Sequence, residues 1–423
     1  MWRALSRRGA CRAASSGSRR SFASTASFAG LRGEVEFSSE PGFERCKGPI
    51  KVFRLTGEDG KLVPGAELPF SLDEAVGMYR TMLRVSVIDQ ILNSLQRQGR
   101  ISFYMTGTGE EAAQVGTIAA LDKRDVVWPQ YRELGAFVHR GFTIQQVVDQ
   151  CMGRKDEPGK GRQMPVHYCA AELNMQAVTS PLATQIPQAV GAGYAFRMGG
   201  EARCGVSYFG DGAASEGDFA VALNFAATLK AQTIFICRNN GWAISTPAKE
   251  QYAGDGIAVR GIAYGMPCVR VDGNDLAAVF QATRHARELC MEGEPVVIEL
   301  MTYRRGHHST SDDATRYRGG TEVKVAARDG LEPMSRTRML LEAEGRWSEA
   351  EEEALRSETR DEVMSSLKIA EAKLYAPISD MFKDVWAVEP PQLQRQRKEL
   401  FEHIERHPEE YRERLAQYER ERS

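Results

Sequence analysis

The sequence lacks long apolar runs, a strong net charge and paired cysteine motifs. None of its 423 residues falls in a run of 18 apolar residues, so no membrane-spanning helix is expected. The formal net charge of −2 is not the strongly basic balance of a nucleic-acid-binding protein. The eight cysteines include no CxxC pair, which argues against a disulfide framework and a zinc site. We expect a reducing compartment in which Cys204 and Cys237, within apolar runs, are buried free thiols.

Acidic residues are absent from the first 33 positions. This stretch holds seven arginines and many Ser and Ala residues, a composition typical of a mitochondrial transit peptide, with a disordered basic tail as the alternative. The Arg-Ser-Phe-Ala stretch at 20–23 resembles a cleavage site of the matrix protease. We therefore expect residues 1–33 to form a transit peptide and disordered N-terminus, and the mature protein to lie in the mitochondrial matrix.

An α/β fold is predicted for residues 76–330. Apolar runs without polar alternation predict buried strands of a parallel sheet covered by helices on both faces. These runs lie at 125–129, 204–210, 232–240, 267–273 and 294–304.

Regions of different character flank this α/β part. Residues 34–75 show weak periodicity and predict an extended arm. Ser71 and Glu74 form a capping-box pair before a long amphipathic pattern. Residues 331–423 are charged and predict a helical C-terminal region, with a helix capped by Ser348.

The segment SYFGDGAASEGDF, residues 207–219, places Asp211 between two glycines where an apolar run ends. Glycines at such a junction usually let backbone approach a phosphate, which an acid would repel. The next apolar run ends in Asn239-Asn240, and a right-handed βαβ unit would bring both ends to the same sheet edge. Carboxylate and amide oxygens suit Mg²⁺, which completes its shell with phosphate oxygens and water. The sequence therefore predicts that Asp211 holds a dication bridging to two phosphates.

Other nucleotide motifs do not fit these glycines. A nicotinamide fingerprint would need glycine at Ser215, and a P-loop would need Ser or Thr at Gly161. The GDG triplet alone is a weak signal. Followed by the Asn pair at the end of the next predicted strand, it is typical of thiamine-diphosphate enzymes.

Further stretches narrow the family: SFYMTGTGEEAAQVG, QYRE, GKGRQMPVHY, SPLATQIPQAVGAGYA, CRNNGWAISTP, RVDGND and TYRRGHHSTSDD. From about residue 45 to about 400 the chain resembles the α subunits of mitochondrial branched-chain 2-oxoacid dehydrogenases. Pyruvate-type α subunits, the nearest alternative, typically have Glu before the Asn pair and one His before the Ser loop. Here those places hold Arg238 and the pair His307-His308. A non-catalytic regulatory homologue is the alternative from another class.

The resemblance implies a fold, an activity and partners. The fold would be the thiamine-diphosphate-binding α/β fold. The activity would be oxidative decarboxylation of the 2-oxo acids derived from Val, Leu and Ile, with acyl transfer to a lipoyl group of an acyltransferase core. Activation of the cofactor needs a glutamate, and we find no convincing second domain in this sequence that would supply it. In the family a β subunit supplies it, so an α₂β₂ heterotetramer is implied.

The resemblance also assigns ligands, position by position. Mg²⁺ would be held by Asp211, Asn240 and the backbone carbonyl of Trp242, although close relatives carry Glu and Tyr at the first and third places. The cofactor would be contacted by Gly212 and Ala213 through backbone, by Ser180 and Leu182 near the pyrimidine, and at phosphate by Tyr131, Arg132, Arg238 and His308. His308 would be catalytic. A structural K⁺ site would match Thr179, Pro181, Thr184 and Gln185.

Plainer interpretations of several residues stay open at this point. Arg132 could form an ion pair with Glu133 or another acid, and the two histidines could be solvated. Thr184 and Gln185 could simply start a helix. Residues 103–105 are predicted to be core rather than cavity, and the apolar helix that follows Glu216 is expected to be buried.

A regulatory site is implied in the polar segment 303–322. In the family a dedicated kinase, opposed by a phosphatase, acts on the serine that matches Ser309. A phosphate there would add about −1.5 to −2 charges beside the bound diphosphate. The second family phosphosite is Gly319 here. We expect the segment to be mobile without cofactor.

Overall fold

The protein is described here by a computed structural model covering residues 48–328 and 330–418. Two short strands, β1 (Thr25–Ser27) and β2 (Glu34–Glu36), also pair antiparallel. Apart from β1, the predicted transit peptide lies outside the described residues. From Ile50 onward the chain forms one compact unit.

A six-stranded, fully parallel sheet forms the centre of this unit. Its strands are β3 (Val52–Phe53), β4 (Val126–Trp128), β5 (Gly205–Gly210), β6 (Thr233–Asn239), β9 (Cys268–Asp272) and β10 (Val296–Met301). A separate antiparallel pair consists of β7 (Trp242–Ala243) and β8 (Thr246–Pro247). The sheet order is β3-β9-β10-β6-β5-β4. All five predicted strands are confirmed. The edge strand β3 was not predicted, because its two residues are too few to give a recognisable sequence pattern.

Helices account for most of the remaining described chain. They are α1 (Leu72–Arg97), α2 (Glu111–Ala119), α3 (Leu134–Arg140), α4 (Ile144–Cys151), α5 (Gln185–Met198), α6 (Gly217–Leu229), α7 (Ala248–Gln251), α8 (Ala258–Ala263), α9 (Leu276–Met291), α10 (Gly320–Ala326), α11 (Pro333–Ala343), α12 (Glu349–Ala372), α13 (Pro391–Arg406) and α14 (Pro408–Leu415).

The two faces of the sheet are covered by different helices, as the buried strands predicted. Tyr208 and Ile236 face a large core shared with α1, α2, α9 and α12. Their neighbours Phe209 and Cys237 point the other way, into a smaller core with α5 and α6. This follows from the two-residue period of a strand.

Helix α1 connects the α/β part to the C-terminal helices. The predicted capping box is confirmed, because the Ser71 hydroxyl accepts from the Glu74 amide while the Glu74 carboxylate accepts from the Ser71 amide. The helix begins at Leu72, so the boundary predicted at residue 76 lies inside it. Helix α12, capped by Ser348 as predicted, packs along α1, and the Tyr79 hydroxyl donates to Glu352 on α12 at 2.9 Å.

The prediction that α6 is buried is wrong for its outer face. Val221 and Phe225 are 53% and 55% exposed, whereas Leu223 is fully buried. A helix that is apolar all round needs two covering surfaces. The sheet of this chain supplies only one of them.

The cysteine prediction agrees with the structure. Cys204 and Cys237 are buried, and every cysteine that the structure describes is a free thiol. Within the described part of the chain, no helix is both long enough and apolar enough to cross a membrane.

Candidate cofactor site

The candidate site lies at the edge of the sheet where four parallel strands, β4, β5, β6 and β10, end. Gly210 at the end of β5 is in register with Arg238 on β6, and Asn239 is in register with Met301 on β10. The segments that follow β4, β5, β6 and β10 enclose a cavity of about 390 Å³. Eleven predicted residues line it: Tyr131, Arg132, Ser180, Leu182, Asp211, Gly212, Ala213, Arg238, Asn240, Trp242 and His308.

Asp211 is a buried carboxylate without a cationic partner among the described residues. It is 1% exposed, and its side chain accepts a hydrogen bond of 2.9 Å from the neutral amide of Gln251. Burial raises the pKa of the Asp211 carboxyl, since desolvation disfavours the charged form. Nearby, the Asn240 side chain donates to Glu110 at 2.9 Å and accepts from the Trp242 amide at 3.1 Å. A hard dication beside these oxygens would compensate the buried negative charge.

Gly212 is required by packing against the β7 strand. A Cβ atom at position 212 would lie 2.7 Å from the Cβ of Ala243, whereas one at Gly210 would come no closer than 3.8 Å to its neighbours. The close approach behind the second glycine is therefore to protein. Ala213 begins a short 3₁₀ turn, Ala213–Ser215, and α6 starts only at Gly217.

Arg238 lies at the cavity wall with two buried glutamates. Its guanidinium forms ion pairs with Glu110 and Glu133, and all three side chains are at most 2% exposed. Burial raises the pKa of the Glu110 carboxyl, but Arg238 and Arg132 more than offset this and hold it below its usual value. Since two carboxylates share one guanidinium, these three side chains are not a source of net positive charge by themselves.

Arg132 is not paired with Glu133, which excludes the ion-pair alternative. Its guanidinium donates to the carbonyl of Thr106 at 2.6 Å and to the carbonyl of His308 at 2.6 Å. It also lies 3.1 Å from His308 Nδ1. Arg132 thus connects the segment after β4 to two loops of the cavity wall.

His308 is held in its neutral form by two arginines. Its Nδ1 lies within 3.2 Å of donors on both Arg132 and Arg304, so Nδ1 is an acceptor and the proton resides on Nε2. Burial, reinforced by Arg132 and Arg304, lowers the pKa of His308 to about 3. Tyr131 packs edge-on against the imidazole, with ring centroids 5.9 Å apart. The interpretation of His308 as a solvated histidine is therefore wrong.

Ser180 is oriented by a histidine that sequence reasoning did not single out. The Ser180 hydroxyl lies 2.8 Å from His167 Nε2, and His167 Nδ1 lies 3.1 Å from the carbonyl of Pro165. The carbonyl requires a donor, so Nδ1 carries the proton and Nε2 accepts from the serine. Leu182 is 38% exposed beside them.

The four residues matched to a K⁺ site lie outside the cavity. The hydroxyls of Thr179 and Thr184 are 3.2 Å apart, and Thr184 donates to the carbonyl of Pro181 at 3.1 Å. The Gln185 amide donates to Tyr208, while its buried Oε1 has no partner among the described residues. Thr184 and Gln185 also start α5, as the alternative held. The unpartnered Oε1 of Gln185, with several hydroxyl and carbonyl oxygens nearby, is a ligand set that suits a monovalent cation.

The polar segment after β10 carries many internal hydrogen bonds. Ser309 is only 8% exposed and its hydroxyl accepts from the Ser311 amide at 3.2 Å. Thr310 exchanges two hydrogen bonds of 3.0 Å with Tyr104, one from each backbone amide. Arg318 donates to two carbonyls of the same segment. The mobility of segment 303–322 in the absence of cofactor stays a prediction.

Several residues of the site were missed or misplaced. Tyr104 and Met105 belong to the buried core as predicted, and Phe103 packs against it, but Phe103 and Met105 also line the cavity. The missed polar residues are Glu110, Gln130, Glu133, His167 and Arg304. All five stand inside the quoted motifs. The charged Arg238 at the end of an apolar run was a signal that a buried acid should lie nearby, but it did not identify which acid.

Known proteins that resemble the chain agree with the motifs. Residues 79–379 match the family described as dehydrogenase E1 component. The chain is 48% identical over 379 residues to "2-oxoisovalerate dehydrogenase subunit alpha, mitochondrial" of Dictyostelium discoideum, covering 89% of this chain and 86% of that protein. It is 46% identical over 383 residues to the alpha 1 subunit of the same name in Arabidopsis thaliana, covering 90% and 81%. The Mus musculus subunit is 47% identical over 364 residues, covering 86% and 82%.

Proposed function

Since this chain belongs to the dehydrogenase E1 component family, we propose that it is the α subunit of a mitochondrial branched-chain 2-oxoacid decarboxylase component. Its reaction is the thiamine-diphosphate-dependent oxidative decarboxylation of the 2-oxo acids of Val, Leu and Ile. The relatives favour this over a pyruvate-type subunit, because all three carry the 2-oxoisovalerate name. The observation that carries the proposal is the single cavity that joins a buried carboxylate to a group of cationic side chains.

Mg²⁺ occupies the acidic end of the cavity in this proposal. Asp211, the Asn240 side-chain oxygen and the carbonyl of Trp242 hold it. The buried Asp211 carboxylate lacks a cation of its own, which supports the assignment. Trp242, which stands where close relatives carry Tyr, is compatible with Mg²⁺ binding because only its backbone carbonyl oxygen would be a ligand.

Polar side chains of the cavity wall would hold the diphosphate in this proposal. Arg132, Arg238, Tyr131 and the Nε2–H of His308 donate to phosphate oxygens, and charge-assisted bonds of this kind are the strong ones. Gly212 and Ala213 contribute backbone amides. Arg304, which also lines the cavity, supports anion binding as well. Its buried Nε–H has no acceptor among the described residues and is therefore available to donate.

The cofactor supplies the electron sink that accepts the electron pair when carbon dioxide leaves. The protein binds and orients it, with Ser180 and Leu182 beside the pyrimidine and the substrate. His308 is the catalytic residue. Its neutral imidazole keeps a proton at Nε2, where it can donate to a phosphate or substrate oxygen without adding a full charge.

A β subunit completes the active site in an α₂β₂ heterotetramer. Asp211 is the one carboxylate among the described residues that line the cavity. Since it is assigned to the metal, no other acid among the described residues that line the cavity remains to activate the cofactor. The exposed apolar side chains on α5 and α6 support a covering subunit: Met198, Val221 and Phe225 are each more than half exposed.

Two further parts of the proposal concern stability and regulation. K⁺ lies among Thr179, Pro181, Thr184 and Gln185, and the unpartnered Gln185 oxygen supports it. Ser309 is the target of a regulatory kinase, opposed by a phosphatase. Because Ser309 is buried, the kinase must act on an opened segment, and the phosphate then keeps the lipoylated acyltransferase core from productive docking.

Co-expression with a β subunit tests the function directly. The assembly is expected to decarboxylate 3-methyl-2-oxobutanoate in preference to pyruvate, while the purified α chain alone shows no turnover. Preference for pyruvate would favour the alternative subunit type. Failure of the assembly to bind thiamine diphosphate in calorimetry would indicate a non-catalytic homologue, and turnover by the α chain alone would contradict the shared active site.

A further inference from the structure

A buried carboxylate on α1 lies directly behind the cofactor cavity. Asp89 is 2% exposed and accepts two hydrogen bonds: from the Tyr104 hydroxyl at 2.8 Å and from the Gly107 amide at 2.6 Å. Both donors are uncharged. They bracket a four-residue segment, 104–107, that we call the bridging segment.

The bridging segment connects Asp89 to both halves of the cavity wall. Between the two anchored residues, the carbonyl of Thr106 accepts the 2.6 Å bond from Arg132. At the start of the segment, the Tyr104 backbone exchanges two 3.0 Å bonds with Thr310. Arg132 in turn donates to the carbonyl of His308, and Thr310 lies two residues after His308 in the chain. One side chain on α1 therefore holds the segment on which the phosphate-binding side chains depend.

Burying the Asp89 carboxylate lowers the stability of the fold, so a contribution to stability does not by itself explain why it is there. Desolvation raises the pKa of Asp89 to about 7, although the two hydrogen bonds and the charge of Arg132 act in the opposite direction. A buried carboxylate that forms no ion pair with any described residue is destabilising relative to an apolar residue. The two bonds offset part of this cost. What an apolar residue could not do is fix the position of the Thr106 carbonyl from both sides.

We propose that Asp89 and Tyr104 are positioning residues for the diphosphate-binding wall. Their hydrogen bond keeps the bridging segment where it can hold Arg132 on one side and the 308–310 stretch on the other. This inference rests on the proposed function. It predicts that loss of the Tyr104–Asp89 bond weakens cofactor binding and loosens the segment that contains Ser309.

The chain supplies a matched control on the same helix. The Tyr79 hydroxyl donates to Glu352 at 2.9 Å, and Tyr79 is 1% exposed against 0% for Tyr104. Both are buried tyrosine–carboxylate bonds that involve α1, but the Tyr79 bond faces α12, away from the cavity. Tyr79→Phe and Tyr104→Phe thus delete the same hydroxyl in two places.

Both variants are prepared in the α₂β₂ assembly and compared in three measurements. Thermal denaturation without cofactor should show similar losses of stability. Calorimetry with Mg²⁺ and thiamine diphosphate should show a dissociation constant raised about tenfold for Tyr104→Phe, as expected for one lost bond to a charged group, and unchanged for Tyr79→Phe. Limited proteolysis without cofactor should cut residues 303–322 faster only in Tyr104→Phe. Equal cofactor affinity and equal proteolysis in the two variants would overturn the proposal.

A second pair of variants separates hydrogen bonding from charge. Asp89→Asn can accept from the Gly107 amide with its oxygen and donate to the Tyr104 oxygen with its nitrogen, so it should recover most of the affinity. Asp89→Ala can do neither and should resemble or exceed Tyr104→Phe. If Asp89→Asn bound cofactor as poorly as Asp89→Ala, positioning by hydrogen bonds would be refuted. Should the wild-type assembly bind no thiamine diphosphate, the proposed function fails, while the proteolysis comparison still decides the role of Asp89.

Discussion

In mild acid the free energy of unfolding should decrease. Replacing His308 by Gln should remove a large part of that decrease. The folded-state pKa of His308 is about 3, against an ordinary value of 6.5. Below pH 6.5 the unfolded chain therefore takes up a proton that the folded chain refuses, so the free energy of unfolding falls as the pH is lowered toward 3. At pH 5 this loss is about 2 kcal/mol, from about 1.4 kcal/mol per pH unit. At pH 7.5 it is close to zero.

The assay is chemical denaturation of the cofactor-free assembly at pH 7.5 and pH 5. Wild-type protein should lose about 2 kcal/mol more between the two conditions than His308→Gln, because glutamine does not titrate. Identical pH dependence in wild type and His308→Gln would refute the reasoning that two arginines and burial keep this imidazole neutral.

Three further outcomes follow from the site. Asp211→Ala should abolish Mg²⁺-dependent cofactor binding in calorimetry without lowering the melting temperature, and unchanged affinity would remove Asp211 from the metal site. Ser309→Glu should strongly reduce overall activity with lipoylated partner, whereas Ser311→Glu, two residues away and exposed, should keep it; equal activity of the two variants would argue against a switch at Ser309. Gly212→Ala should weaken cofactor binding because its Cβ would meet Ala243 at 2.7 Å, and Ala243→Gly should restore it, so a double variant as weak as the single one would contradict the packing explanation.

Local sequence patterns were sufficient for five of the six strands of the central sheet and for the edge that holds the site. Apolar runs without alternation indicate strands buried on both faces, and one crossover helix between two runs brings their ends together. That is why Asp211 and Asn240 could be placed side by side from spacing alone. The capping box at Ser71 was equally readable, because all of its partners lie within three residues.

Pairings between distant residues were decided only by the tertiary structure. Arg238 meets Glu110 and Glu133, which lie 128 and 105 positions earlier in the chain, and nothing in local periodicity specifies such pairs. The same limit applies to Phe103 and Met105, which are apolar yet line a cavity.

Exposure of a whole helix face was also beyond the sequence. The composition of α6 indicates burial all round, but composition does not say which surface provides the cover. In this chain the sheet covers the side with Leu223 and leaves Phe225 in solvent. The sequence by itself determined which residues are apolar, which strands are parallel and where Asp211 and Asn240 meet, because those follow from local period and connectivity. The ion pairs of Arg238, the neutral state of His308 and the bridge from Asp89 depend on packing between remote segments, and only the folded chain brings those segments into contact.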